Sequence, residues 1–342
     1  MIGLTFGFIV FRTNFCTMGS ISDILSFGDY GRFRAWLLAG AVAMVGVTLL
    51  QLAGVMSAAD TMYMSPRFGW LGNVVGGLMF GFGMVYAGGC VSRNLVRAGA
   101  GDMRSLVILI ITGIFAFMTI GGLIGPLRIA LFSPSTIDLT ESGLKTQGLA
   151  EMIAYVFGMA ADSLTVALPL LVAALLAIYC FKDHGFRTSR ANVIAGVGIG
   201  LLIVAGWFLT GLAQDDFADV PVQLISLTYV RPAGDSLEYL MRFTAFGAPG
   251  FGVVTTVGAL LGGTLGALST GRLRLTTFAD PSDSLRNMFG AAFMGIGGVL
   301  ALGCTVGQAL SGFSTLAMGS IITFFFIVLG GIAGMKTIER FA

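Results

Sequence analysis

The stretch GFGMVYAGGC, Gly81 to Cys90, and its echo GIGGVLALGC, Gly295 to Cys304, decide how the chain is read. At an offset of 214 without a gap, these stretches and the eight residues before each share Asn73/Asn287, Gly76/Gly290, Gly81/Gly295, Gly83/Gly297, Gly89/Gly303 and Cys90/Cys304. The agreement marks an internal repeat. Both copies are apolar, dense in glycine and end on a thiol, the composition of a membrane helix that breaks and exposes backbone and sulfur to a polar guest.

The rest of the composition agrees with a bilayer setting. With 56% hydrophobic and 11% charged residues in 342, the chain has too little charge to cover a globule of its size in water. Glycine, at 51 residues, is about twice ordinary usage, which suits close helix contacts and broken helices. A single membrane domain, 1–342, is expected. No run of basic residues points to nucleic acid. The four cysteines, Cys16, Cys90, Cys180 and Cys304, form no C-x-x-C pair, and the single histidine, His184, sits in the basic loop KDHGFR. No metal site is expected. The apolar start MIGLTFGFIV has no basic residue before it, so it does not read as a cleaved signal peptide.

Outward from the repeat, residues 2–11 are too short for a full crossing and read as a half-helix, ending at FRTNFC with Arg12, Asn14 and Cys16. Spans are expected at 35–57, 71–90, 105–132, 164–180, 191–212, 249–270, 287–304 and 314–335. An interfacial piece should precede Asp162, and the acidic segment 214–244 reads as an outer loop with short surface helices. Thirteen of the nineteen Lys and Arg residues then fall on one face and five on the other, with Arg12 unassigned. The richer face is the cytoplasmic one by the positive-inside rule, and it includes the C-terminus. The spans starting at 35 and 249 are repeat equivalents separated by five crossings, an odd number, so the halves should be inverted, with a shared path near the midplane. The halves run over 1–132 and 191–342, joined by 133–190 with one extra span. At the strict offset, the equivalent of 191–212 would precede Met1. The expected fold is thus an all-α polytopic membrane protein, with two inverted repeats whose broken or short helices meet near the midplane.

Chemistry gathers after the cysteines. If the chain is helical beyond Cys90, Arg93, Asn94 and Arg97 lie on the thiol's face. Gln308 and Ser311 stand at matching spacings after Cys304, as do Ser20 and Asp23 after Cys16. A short helix starting after each cysteine would aim unpaired N–H groups at the thiol, which suits an anion. A neutral thiol is a weak donor on a soft atom, a fitting partner for a sulfur-bearing anion and a poor one for sulfate or sodium. Cys16, Cys90 and Cys304 are therefore candidate path residues, with Arg12, Arg93, Asn94, Arg97 and Gln308 beside them. Gly88, Gly89 and Gly303 are candidate backbone breaks. Cys180 reads as a buried small hydrophobe, and Gly76, Gly81, Gly83 and their partners as helix packing. No catalytic motif or organic cofactor site is present. A membrane sulfurtransferase holding a persulfide is the alternative, with Arg93 near Cys90 as its one activating device, and a channel for a different small solute is a third.

FRTNFC, GFGMVYAGGCVSRNL (Gly81 to Leu95) and GIGGVLALGCTVGQALSG (Gly295 to Gly312) resemble the YeeE/YedE family of membrane proteins. The form GC-x-x-G-x-x-L-S-G is the most specific part. After Cys90 the chain departs from it, with Val-Ser-Arg-Asn in place of Thr-Val-Gly-Gln. The resemblance implies a multi-pass inner-membrane transporter of thiosulfate or a related sulfur or selenium species such as sulfite, moved inward past Cys16, Cys90 and Cys304. It also implies a cytoplasmic sulfur-carrier partner of the TusA type.

Overall fold

The computed structural model describes residues 1–158, 161–214, 222–278 and 280–341. Within them the chain is almost wholly helical. In order come α1 (Ile2–Thr13), α2 (Thr17–Phe27), α3 (Gly31–Leu52), α4 (Trp70–Tyr86), α5 (Val91–Gly99), α6 (Met103–Ile120), α7 (Gly125–Phe132), α8 (Leu149–Phe157), α9 (Ala161–Lys182) and α10 (His184–Thr188). They are followed by α11 (Arg190–Leu212), α12 (Val230–Met241), α13 (Phe243–Phe246), α14 (Phe251–Ser269), α15 (Pro281–Leu300) and α16 (Met318–Phe341). A two-residue antiparallel pair, β1 (Arg67–Phe68) with β2 (Ile137–Asp138), makes up the described strands.

Seven helical stretches among the described residues are long and apolar enough to cross a bilayer: Gly31–Leu52, Trp70–Gly99, Met103–Ile120, Ser163–Lys182, Arg190–Leu212, Phe251–Ser269 and Met318–Arg340. The protein is an all-α polytopic membrane protein. Leu171, Leu175 and Ile178 on α9, Leu201 on α11 and Leu261 on α14 stand exposed, as lipid-facing side chains do. By contrast α1, at 12 residues, is about 18 Å long and reaches only part of the way, as its apolar length predicts.

Helix directions follow from the glycine contacts. Gly77 lies against Thr323, and Val85 against Gly334, so α4 and α16 run parallel. Thr112 donates to the Ala291 carbonyl and Gly295 abuts Ala116, so α6 and α15 also run parallel. Between these pairs α4 and α15 cross antiparallel with backbone on backbone. A Cβ on Gly76 would come within 2.7 Å of the Gly297 carbonyl oxygen, and one on Gly297 within 2.7 Å of that of Gly76. Gly83 and Gly290 repeat the relation, at 2.7 and 2.6 Å. Each contact joins one residue to the repeat equivalent of the other, the pattern of an isologous two-fold contact. Elsewhere α1 packs on α14 and α11 on α3. In packing, α1 thus occupies the place for α11's counterpart that the strict offset leaves empty.

Two expectations shift. The segment 151–181 divides, but earlier than the expected Asp162: Gly158 takes a left-handed turn (φ 64) after α8 and α9 already runs from Ala161, with residues 159 and 160 outside the described residues. The segment 214–244 differs: 215–221 lie outside the described residues, and beyond them Leu224, Leu227, Tyr229 and Val230 are buried and the front of α12 is inserted against α6 and α14. The described stretch 224–234 is no surface loop. The apolar residues of VQLISLTYV supply the buried area, and Asp235 and Glu238 fall on the later, wetter turns.

Candidate substrate path

Three chain breaks place the three thiols. After α1, Asn14 adopts a left-handed conformation (φ 53), and Cys16 becomes the N-cap of α2, its Sγ accepting from the Gly19 N–H at 3.5 Å. After α4, Gly88 (φ 68) and Gly89 (φ 155) turn the chain, and Cys90 caps α5, with its Sγ 3.2 Å from Ser92 Oγ. After α15 the left-handed residue is Leu302 (φ 56), the repeat equivalent of Gly88, so the break expected at Gly303 is made one residue earlier. Cys304 then begins a helical segment through Gly312, and its Sγ accepts from the Gly307 N–H at 3.3 Å. A fourth short helix, α12, starts beside them, just after Thr228, whose Oγ1 lies 3.9 Å from Cys304 Sγ.

The starts converge. Cys16 and Cys90 are neighbours, Thr305 lies beside Cys90, and Thr228 Oγ1 is 3.9 Å from Cys304 Sγ. All of the cysteines are buried and free. Cys180 stands apart, its thiol donating to the Arg34 carbonyl at 3.3 Å, which agrees with its reading as a buried structural residue.

Asn94 and Gln308 are spent on the backbone. Asn94 Nδ2 donates to Gly89 O at 2.9 Å and Cys90 O at 3.2 Å while its Oδ1 accepts from Ser105 at 2.9 Å. Gln308, its repeat equivalent, donates to Ala301 O and accepts from Ser320 at 2.6 Å. Both are clamps that hold a helix start against the preceding break: Asn94 spends both of its amide hydrogens there and Gln308 one of its two. The spacing placed them correctly; it could not show which way the amides turn.

Arg97 is also a clamp in part. Its Nη2 donates to Asp102 Oδ2 at 2.7 Å and its Nη1 to the Gly88 carbonyl at 3.1 Å, bracing the Gly88 turn. Arg104 Nε reaches the same carboxylate at 3.0 Å. Burial works to raise the Asp102 pKa, but the bonds and charges of Arg104 and Arg97 outweigh it and hold the carboxyl below its ordinary range. A folded value below the unfolded one gives stabilisation that is complete above the unfolded range of about pH 4 and is lost as pH falls through the folded value. At neutral pH, Asp102→Asn should therefore cost about 2 kcal/mol, read as a lower melting temperature in detergent, and the deficit should shrink as the pH is brought below 4.

Two cavities open into the fold, one of them beside the Cys16 and Cys90 breaks at Asn14 and Arg93. One of about 250 Å³ is lined by Val10, Phe11, Asn14, Arg93, Val96, Arg97 and Arg272, on the side where α16 ends and the α14–α15 loop lies. Another, of about 400 Å³, opens near the far end of α3 and is lined by residues including Gln51, Ser57, Lys145, Pro169 and Leu316. Arg93 therefore faces an open space, and Arg272 joins it without any sequence signal, because its loop is placed only by the fold. Arg12 is exposed at the end of α1. Among the described residues no group of His, Cys, Asp and Glu is placed to hold a metal.

The broken-helix membrane architecture, with three buried thiols at helix starts, suits a transporter. The chain belongs to the sulphur transport family, whose profile matches residues 12–333. It is 27% identical over 341 residues to the thiosulfate transporter TsuA of Spirochaeta thermophila, covering 96% of this chain and 95% of that one. To TsuA of Escherichia coli it is 26% identical over 349 residues, covering 96% of this chain and 90% of the relative. A 106-residue stretch is 30% identical to the probable transporter YedE of Escherichia coli, 30% of this chain and 24% of the other. By name the two full-length relatives are transporters and the third a probable one, and the family is one of transport, not of catalysis.

Proposed function

We propose that this protein is an inner-membrane permease that imports a sulfur-containing anion, with thiosulfate the first substrate to test. The observation that carries the reading is the meeting of Cys16, Cys90 and Cys304, all buried and free, at three helix starts. Thiols offer soft, weak donors to a terminal sulfur, and the unpaired N–H groups of the helix starts favour negative charge. Passage by transient S–H contacts needs no covalent step. The full-length likeness to two thiosulfate transporters supports this substrate over selenium or sulfite species. Arg93 and Arg272 would draw the anion out at the 250 Å³ cavity, and Arg97 would keep the Gly88 turn open.

The antiparallel crossing of α4 with α15 and the reciprocal glycine contacts support inverted halves within 1–132 and 191–342. The arginine-lined cavity would then be the cytoplasmic mouth and the C-terminus would lie inside, since lysine and arginine are densest there. A reporter fused after Ala342 that is active only in the cytoplasm should be active, and one active only in the periplasm should be silent. A TusA-type carrier would collect sulfur at this mouth, to be tested by co-purification. The transport reading is tested by uptake of radiolabelled thiosulfate into proteoliposomes with excess sulfate outside. Uptake that sulfate does not suppress supports it, and no uptake of thiosulfate, sulfite or selenium species sinks it.

A further inference from the structure

Among the described residues, eight buried side-chain atoms lack a hydrogen-bond partner, and three of them, the hydroxyls of Thr17, Thr305 and Tyr229, gather at the thiols. Thr17 follows Cys16 at the start of α2. Thr305 follows Cys304 and lies beside Cys90 without a hydrogen bond to it, so one half's hydroxyl stands unpaired at the other half's thiol. Tyr229 packs its ring on Phe6, at 5.1 Å between centroids, and directly follows Thr228, whose Oγ1 is 3.9 Å from Cys304 Sγ. Thr17 is 2% exposed and Thr305 and Tyr229 are fully buried.

Buried hydroxyls are almost always satisfied, and leaving one unmade costs stability. Three orphans around one cluster of thiols call for a guest that completes them. The thiols themselves are unsuited to oxygen, since an S–H donor is weak and soft. An anion with a terminal sulfur at one end and oxygens at the other needs two kinds of donor. The cluster holds both.

We propose that Thr17, Thr305 and Tyr229 bind the oxygen end of the transported sulfur oxyanion, while the cysteines meet its sulfur end. The inference rests on the transport reading above and adds a specificity determinant to it. A guest with sulfur but no oxygen would leave the hydroxyls unpaired, and a guest with oxygen alone would leave the thiols facing the wrong atom. Discrimination comes from demanding both. At the position after Cys90 the chain has Val91, and Thr305 supplies there the hydroxyl that Val91 lacks.

The test uses the protein in proteoliposomes, with labelled thiosulfate and the variants Thr17→Val and Thr305→Val, which put a methyl where the hydroxyl stood, and Tyr229→Phe, which removes it. Each variant should raise the apparent KM about tenfold, and Thr305→Ser should restore it. Their melting temperatures in detergent should equal or exceed that of the wild type, because the lost hydroxyl has no protein partner to leave behind. A purely structural role predicts the reverse: lower melting and lower maximal rate with an unchanged KM, and that result overturns the proposal. So does a KM within twofold of wild type in all three variants while wild-type uptake is robust, an outcome that leaves the transport reading intact. Absence of thiosulfate uptake by the wild type strikes at the transport reading itself and removes this inference with it.

Discussion

Replacing Cys90 and Cys304 together with alanine should lower the initial rate of thiosulfate uptake at least about a hundredfold in equally expressed, correctly folded protein. A hydrogen bond to a charged group is worth about 1.5–3 kcal/mol, and about 1.4 kcal/mol is a factor of ten, so two lost contacts at a dehydrated constriction multiply. Alanine gives up only weak thiol bonds: the Gly307 N–H that meets Cys304 Sγ sits in a first helical turn, where such groups are often left free, and the Ser92 hydroxyl loses its contact with Cys90 Sγ but is free to rotate. Melting temperature should therefore stay within a few degrees. Cys→Ser at the same sites separates two explanations. If the soft sulfur is what the anion needs, serine fails as alanine does. If only a small polar group is needed, serine transports as well as wild type and the sulfur-specific reading is wrong.

The second large effect is on assembly. Gly83→Leu or Gly297→Leu should cost about 3 kcal/mol or more, because the new side chain would have to enter backbone of the opposing helix and not a flexible side chain. A Cβ at Gly83 already lies 2.7 Å from Gly290 O, and at Gly297 2.7 Å from Gly76 O. The α4–α15 crossing would have to open, and the Cys90 and Cys304 turns ride on the ends of those two helices. The expected result is loss of the monodisperse species in detergent and a large fall in melting temperature. Leucine at Gly121, which has no atom within 4 Å of a built Cβ and a φ of −150°, is the control and should be tolerated. If both sites tolerate leucine, the crossing is not close-packed as described.

Much of this was legible in the residues. Hydropathy located the long helices, because a bilayer demands an apolar stretch of fixed length. The repeat located the breaks and the thiols after them, because equivalent sequence folds alike. It also paired Gly76 with Gly290 and Gly83 with Gly297. What it could not give was the cross-pairing, Gly76 against Gly297 and Gly83 against Gly290, since contact between two distant stretches is set by how the helices cross. The insertion of 222–234 escaped notice for a related reason: its acidic neighbours dominated a reading made by average composition, while burial is decided residue by residue.

At the path the division is the same. Residue spacing places Cys16, Cys90 and Cys304 at helix starts, and Asn94 and Gln308 one turn on, because local periodicity fixes position along a helix. Whether an amide faces a guest or its own backbone depends on what stands opposite, and Ser105 and Ser320 stand opposite these two. Thr17 and Thr305 directly follow cysteines and carried a signal in plain view, yet a threonine at a first helical position is ordinary. Only the packing, which buries both and gives neither a partner, separates them from any other helix start. Sequence by itself determined a helical membrane protein with repeated, thiol-ended breaks, because those properties are local and periodic. Tertiary structure decided which thiols meet, which polar groups are spent on the backbone and which remain open, because satisfaction of a buried group is a property of its neighbours.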